Sequence, residues 1–320
     1  MKILVTGGAG FIGSHLVGTL QQLGHAVSIL DDLNDFYDPA HKLENLAGVG
    51  LADSPRFHRG DICDSALVDR VFASEQPHAV IHLAARAGVR PSLAQPLLYE
   101  RVNVMGTINL LEACRKYAVP KFVFASSSSI YGIANRVPFS EEDQVNLPIS
   151  PYAATKIAGE KLCYTWSHLY GIKVVCLRFF TVYGPRQRPD LAIRKFTEMI
   201  DKGQAIPMFG DGSTGRDYTF VEDTVQGIVA ALGHDCAYDI FNLGNSNPVM
   251  LSTLVEIIER QLGKNALIER LPGQPGDVPL TFADISKARR ILGYSPSTSL
   301  ADGIRKCVEW HRRLDSHNMK

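Results

Sequence analysis

Thr6-Gly-Gly-Ala-Gly-Phe-Ile-Gly13 follows the apolar run Ile3-Leu-Val5 and opens a helical pattern that continues through Leu23. Gly8, Gly10 and Gly13 have the spacing of a tight strand-to-helix turn, where glycine lets the backbone come close to a pyrophosphate. The start of such a helix offers free N–H groups and a positive dipole end to phosphates. Gly7, Gly10, Phe11, Ile12 and Gly13 are therefore candidate contacts for a dinucleotide. The next strand, Ala26-Val-Ser-Ile-Leu30, ends at Asp31. That is about 20 residues past the motif, where a carboxylate can hold the adenosine ribose hydroxyls. The same charge repels a 2′-phosphate, which favours NAD over NADP.

Strands and helices keep alternating through the first half. Asn34 to Pro55 reads as polar and turn-rich. Arg56-Phe-His-Arg-Gly60 leads to Asp61 and Ile62, which would sit beside the adenine, although Asp61 reads equally as a helix cap. Ala79 to Leu83 is a strand, followed by a loop through Pro96 and a long helical pattern from about Leu97 to Tyr117. Phe122 to Ala125 and Val174 to Leu177 are further strands. Alternation of this kind predicts an α/β fold: a Rossmann-type, doubly wound parallel sheet covered on both faces. The apolar runs are continuous, as two-sided burial requires. After Arg178 prolines and glycines multiply, as in Tyr183-Gly-Pro185 and Phe209-Gly-Asp-Gly212. That texture indicates a smaller C-terminal substrate-binding α/β domain. The expected division is residues 1–180, with a return around 217–240 through the helical stretch Val221 to Leu232, and a discontinuous second domain within 181–320.

Tyr152-Ala-Ala-Thr-Lys156 places a phenol and an ammonium four residues apart, on one face of a helix. Ser150 and Pro151 read as its cap and first turn. A phenol titrates near 10 in water, and a nearby cation favours the phenolate. Tyr152 then serves as a base toward an alcohol near neutral pH, assisted by Lys156. Ala125-Ser-Ser-Ser-Ser-Ile-Tyr131 ends a strand at the sheet's carboxyl edge. One hydroxyl there can bond the substrate oxygen, while others act as turn or capping serines.

Bulk composition narrows the partners. Lys plus Arg number 33 and Asp plus Glu 33 in 320 residues, so nothing calls for nucleic acid or an anionic membrane. No apolar run is long enough for a membrane span, and Met1-Lys2 leads straight into a buried strand without a signal peptide. The six cysteines are scattered with no C-x-x-C, which reads as reduced thiols in a cytoplasmic protein. No His, Cys and carboxylate cluster has metal-ligand spacing, so no metal is expected.

These motifs together resemble those of extended short-chain dehydrogenases/reductases of the nucleotide-sugar epimerase and dehydratase group. The resemblance spans nearly the whole chain and also rests on His82-Leu-Ala-Ala85, Asn103-Val-Met-Gly106, Arg178-Phe-Phe-Thr-Val-Tyr-Gly-Pro185 and Arg216-Asp-Tyr218. It implies NAD as cofactor, with Asn34, Leu83, Ala84, Ala85, Asn103, Tyr152 and Lys156 adding cofactor contacts. It assigns the catalytic hydroxyl to Ser127, four residues before Tyr131. Related 4,6-dehydratases carry Asp and Glu where this chain has Ser128 and Ser129, which argues for epimerisation rather than elimination. Related UDP-glucuronate decarboxylases carry Glu at the position of Ser129.

Asp32-Leu-Asn-Asp-Phe-Tyr-Asp-Pro39, Ala87-Gly-Val-Arg90 and Thr181-Val-Tyr-Gly-Pro-Arg-Gln-Arg-Pro-Asp190 look like those of UDP-glucuronate 4-epimerases. That subgroup inverts C4 of a UDP-sugar by transient hydride transfer to tightly bound NAD through a 4-keto intermediate. UDP-glucose or UDP-N-acetylglucosamine epimerisation, decarboxylation and a non-catalytic NAD-binding role are the alternatives. A C6 carboxylate needs a cation, and an arginine can hold it with two parallel hydrogen bonds. Arg188 is the first choice and Arg186 the second, with Ser128 and Thr181 as hydroxyl donors and Arg90 serving sugar or cofactor. For the UDP the resemblance implies Arg216 on a phosphate and Asp277 on the ribose. Gln274 stands where relatives often carry a further Arg, and Phe209 lies near uracil or in the core. The apolar stripes of 97–117 and 152–170 imply a homodimer, with core-facing burial as the alternative.

Overall fold

The computed structural model describes residues 1–133, 136–272 and 278–318, with side chains through 314. The strands in chain order are β1 (Lys2–Thr6), β2 (Ala26–Asp31), β3 (Phe57–Arg59), β4 (Ala79–His82), β5 (Lys121–Ser127) and β6 (Lys173–Phe179). Then come β7 (Thr181–Tyr183), β8 (Ala205–Phe209), β9 (Gly215–Phe220), β10 (Tyr238–Leu243), β11 (Pro248–Met250) and β12 (Leu267–Leu271). The helices of the first half are α1 (Phe11–Gln22), α2 (Pro39–Gly48), α3 (Ser65–Glu75), α4 (Val89–Ala94), α5 (Pro96–Glu100) and α6 (Gly106–Lys116). Those of the second are α7 (Pro151–Tyr170), α8 (Ala192–Asp201), α9 (Val221–Gly233), α10 (Leu251–Leu262), α11 (Ser286–Leu292) and α12 (Leu300–Asn318).

Seven strands form one sheet in the order β10-β6-β5-β4-β1-β2-β3, and every neighbouring pair is parallel. The order reverses between β1 and β4, the position at which an open α/β sheet leaves a crevice at its carboxyl ends. Ile3, Leu4 and Val5 are all fully buried. Ile3 and Val5 pack with Leu16 and Val17 of α1 and Ile228 of α9 on one face. Leu4 packs with Phe72 of α3, Leu110 of α6 and Cys163 of α7 on the other. This double coverage is why the strand sequences are apolar without alternation.

The second half builds a small sheet β11-β9-β7 and the pair β12-β8. A return to the main sheet was expected around 217–240. The chain re-enters through α9 and β10, whereas 215–220 belongs to the small sheet as β9. Three local readings change. The segment Asn34 to Pro55 holds α2, capped by Asp38, whose Oδ1 accepts from the Ala40 N–H at 2.9 Å. The loop before Pro96 holds α4. The helix expected over Leu97–Tyr117 is divided by a π-helical turn at Arg101–Met105. Among the described residues no helix is long and apolar enough to cross a membrane, and all six cysteines are free thiols.

Candidate active site

A cavity of about 470 Å³ runs along the carboxyl ends of the central strands and on to β7 and β9. Gly7, Gly10, Phe11, Ile12 and Gly13 line one end, with Asp31, Asn34, Asp61 and Ile62 beside them. Leu83, Ala84 and Ala85 form a wall. Ser127, Ser128, Tyr152, Lys156, Thr181, Arg188 and Arg216 line the rest. One space thus collects most of the residues singled out from the sequence.

The nucleotide end is shaped by backbone. Gly7 has φ +72°, and a Cβ there would lie 2.7 Å from the Ala84 nitrogen. A Cβ on Gly13 would lie 2.2 Å from the Gly7 carbonyl. Only glycine permits this packing of turn, helix and β4 loop. The first turn of α1 carries no side-chain cap, so its N–H groups are available to an anion. Asp31 is 7 % exposed and accepts from Ala9 N at 3.1 Å and Leu33 N at 3.0 Å. Burial pushes its carboxyl up, and the two N–H donors and Lys42 pull it back. Each oxygen keeps a lone pair for a ribose hydroxyl. Uncapped helix start and fixed carboxylate together fit a dinucleotide. Asp61 is not a helix cap: it accepts from Cys63 N at 2.9 Å, and Asp64 caps α3.

At the catalytic end, the Ser150 hydroxyl accepts from Ala153 N at 3.1 Å and starts α7, with Pro151 in its first turn. Tyr152 follows, packed edge-to-face on Tyr99 at 6.2 Å. The Ser127 hydroxyl lowers the phenol and accepts from Ser129 N at 3.2 Å, which turns the chain at the strand end. Strand alternation sends Ser126 the other way, to Glu160 at 2.6 Å. Lys156 is 4 % exposed, donates to the Ala125 carbonyl at 2.7 Å and lies 5.9 Å from the Tyr152 ring centroid.

Lys156 stands close enough to the ring for its charge to bear on the phenol. Burial holds the Tyr152 phenol above its ordinary value, and the opposing groups are the Ser127 hydroxyl and the Arg188 cation. Lys156 is itself lowered to about 8 by burial, with Glu160 among the groups opposing that shift. Its ammonium donates to the Ala125 carbonyl, and Arg188 adds a second cation that lowers the phenol.

Three expected contacts fall elsewhere, and a fourth lies outside the described residues. Asn103 is buried behind the wall, with its amide spent on Arg86 N at 2.8 Å, Arg86 O at 3.0 Å and Thr155 Oγ1 at 3.0 Å. The π-helical turn aims it there, so it fixes the 84–88 loop rather than facing the cavity. Arg186, in the left-handed region at φ +64°, sits near His15 and does not line the cavity. Arg90 is exposed, with its guanidinium 5.0 Å from the Phe209 ring centroid. Asp277 and Gln274 lie outside the described residues. Arg216 is in place, and its Nη1 donates at 2.8 Å to the carbonyls of Gly215 and Val278.

Other lining residues were not anticipated. Lys42, on α2, reaches the Asn34 carbonyl at 2.7 Å beside Asp31. Arg86 lines the wall with a buried Nε that has no hydrogen-bond partner. Ser129, in the serine run itself, has a buried hydroxyl likewise without a partner. The serine run points to Ser129 and the helix start Asp38-Pro39 to Lys42, while Arg86 has no such signal.

Comparisons with known proteins agree with this geometry. Residues 4–307 match the model of the family described as GDP-mannose 4,6 dehydratase. A UDP-glucuronate 4-epimerase of Thermodesulfobacterium geofontis is 43 % identical over 310 residues, covering 97 % of this chain and 95 % of that one. The crystal structure of UDP-glucuronic acid 4-epimerase from Bacillus cereus, in complex with UDP-glucuronic acid and NAD, is 36 % identical. It superposes with a TM-score of 0.91 over 98 % of this chain and 100 % of that one. The UDP-glucose 4-epimerase of Thermotoga maritima with UDP-glucose gives 34 % identity and a TM-score of 0.91, over 98 % and 99 %.

Proposed function

The chain belongs to the family described as GDP-mannose 4,6 dehydratase, and from that premise we propose that this NAD-dependent UDP-sugar 4-epimerase interconverts UDP-glucuronate and UDP-galacturonate. The observation that carries the substrate is Arg188. Its guanidinium lines the same cavity as Tyr152 and Ser127, together with Ser128, Thr181 and the partnerless Ser129 hydroxyl. A cation with hydroxyls beside a sugar-sized space suits a C6 carboxylate. Ser128 and Ser129 supply no acid/base pair for eliminating a C6 hydroxyl.

When bound, NAD supplies a hydride sink and source at C4, so that the sugar passes through a 4-keto state. The turn at Gly7–Gly13 and the start of α1 would hold its pyrophosphate, Asp31 its adenosine ribose, and Asp61 with Ile62 its adenine. Tyr152 takes the O4 proton, Ser127 adds a hydrogen bond to the same oxygen, and Lys156 would hold the nicotinamide ribose. Arg216 and Asp277 hold the UDP, so the oxidised sugar ring is free to turn over. The 4-keto acid tends to lose CO2 when its C5–C6 bond aligns with the ketone π system. Arg188 holds the carboxylate out of that alignment. Residues 1–180 with the return through β10 form the nucleotide half, and the remainder forms the sugar half.

UDP-glucose is the second reading, favoured by Asp190, which satisfies Arg188 without any sugar carboxylate. NMR product analysis with purified protein decides between them. The reading requires UDP-glucuronate to be inverted faster than UDP-glucose and UDP-N-acetylglucosamine. Turnover of the neutral sugars alone overturns it, and binding of NAD without turnover of any UDP-sugar overturns the enzyme as a whole. Leu97 (83 % exposed) on α5, Met105 in the π-helical turn, and Tyr164 and Leu169 on α7 present apolar surface. We assign that face to a second copy of the chain, which a light-scattering mass of twice 35.1 kDa would support.

A further inference from the structure

Arg188 is 17 % exposed, and its Nε and Nη2 donate to the two carboxylate oxygens of Asp190 at 3.0 and 2.8 Å. This is the parallel two-bond geometry in which an arginine takes a carboxylate. The edge a sugar acid would use is therefore already held by an acid of the protein. Among the described residues, the carboxylate of Asp190 bonds only to Arg188. Asp190 is 44 % exposed, so water can replace the arginine as its partner, and ion pairs of this kind hold weakly. Arg188 has no such freedom, because a mostly buried cation needs a counter-charge. Its guanidinium plane rests 5.1 Å from the Phe36 ring centroid, which keeps it in place while partners change.

We propose that Asp190 is a specificity-determining placeholder for the sugar's carboxylate. It pairs with Arg188 when the sugar site is empty or holds a neutral C6 group, and releases it to an incoming C6 carboxylate. The exchange keeps Arg188 neutralised throughout, and a hydroxymethyl group cannot trigger it. The inference rests on the carboxylate reading of the substrate given above.

Binding tests it apart from turnover. Calorimetry on NAD-loaded protein in a Tyr152→Phe background, which leaves the ligand unconverted, gives Kd for UDP-glucuronate and UDP-glucose. On Asp190→Asn the ratio Kd(UDP-glucose)/Kd(UDP-glucuronate) rises about fivefold or more, because the acid no longer competes for the arginine. In an Arg188→Ala background the same step changes the ratio by less than about twofold. A ratio that stays or falls in the first background overturns the placeholder. So does an equal rise in both, which is the signature of general charge removal. If the unmutated enzyme turns over only neutral sugars, the substrate reading fails, while the two ratios still decide whether Asp190 competes with a carboxylate.

Discussion

Glu160 and Arg178 form an ion pair through two hydrogen bonds of 2.9 Å, with both side chains only 2 % exposed. Glu160 lies eight residues after Tyr152, two turns along the same face of α7 that carries Lys156. The Ser126 hydroxyl reaches the same carboxylate, and Arg178 also donates to the Tyr131 hydroxyl at 2.9 Å. Tyr131 in turn donates to Asn242 of β10 at 2.7 Å. The helix with the base and the strand end with Ser127 are thus fastened to each other from behind. Glu160→Ala should cost about 3–5 kcal/mol, since it strands a buried guanidinium. Adding Arg178→Met should recover part of the loss. Urea unfolding of the single and double variants measures both, and an additive double variant would refute a paired role.

Replacing Tyr152 by Phe removes the proton acceptor and leaves the ring packed on Tyr99. Turnover of the preferred UDP-sugar should fall by about 10²–10⁴-fold, while NAD stays bound. Near-normal turnover rules Tyr152 out as the base.

The pH profile reports on Arg188. Its cation draws the buried phenol down, and the rate depends on phenolate, so kcat rises with pH along the acid limb. Arg188→Met removes the stabilising charge and should shift that limb toward alkaline pH. An unmoved or acid-shifted limb in a kcat–pH series means the charge does not act on Tyr152.

Much of this arrangement was legible in the sequence because it depends on local rules. The glycine spacing, Asp31 at a strand end and Tyr152 with Lys156 on one helix face are fixed by short-range geometry. What escaped depends on where side chains end after packing. Arg188 and Arg186 rank first and second from the sequence, and of the two only Arg188 lines the cavity. The left-handed backbone at Arg186 separates them. Asn103 lies in a familiar motif, but a π-helical turn points its amide at Arg86 and Thr155. Lys42 is hidden by the polar, turn-rich composition of 34–55, although Asp38-Pro39 is a helix start with its cap. Spacing places Lys156 beside the ring but cannot show that its ammonium also bonds the Ala125 carbonyl or that Arg188 acts on the same phenol.

Lys156 also affects stability. Burial lowers it from 10.5 to about 8, so between those values the unfolded chain binds more protons than the folded one. Stability from this group therefore rises with pH across that window and is lowest below pH 8. The gap corresponds to about 3 kcal/mol. In NAD-free protein, the stability of Lys156→Met relative to the parent should be most favourable near pH 7 and decline toward pH 10. A difference that is flat with pH in urea titrations contradicts a buried, charged Lys156.

Arg188→Ala carries the sharpest chemical consequence of the proposed mechanism. The oxidised sugar is a β-keto acid, and only restraint of its carboxylate keeps CO2 in place. Without the guanidinium the carboxylate can rotate into alignment with the ketone, so part of each turnover should leak as UDP-pentose. Epimerisation of UDP-glucuronate should fall by about tenfold or more, as expected when one partner of a charged contact is lost. UDP-glucose, which has no carboxylate to lose, gives no pentose with either protein. NMR of the product mixture, with 13C at C6 to follow released CO2, reads both effects at once. Slower turnover with no pentose would leave Arg188 as a binding group only. An unchanged rate with no pentose would remove it from the sugar site.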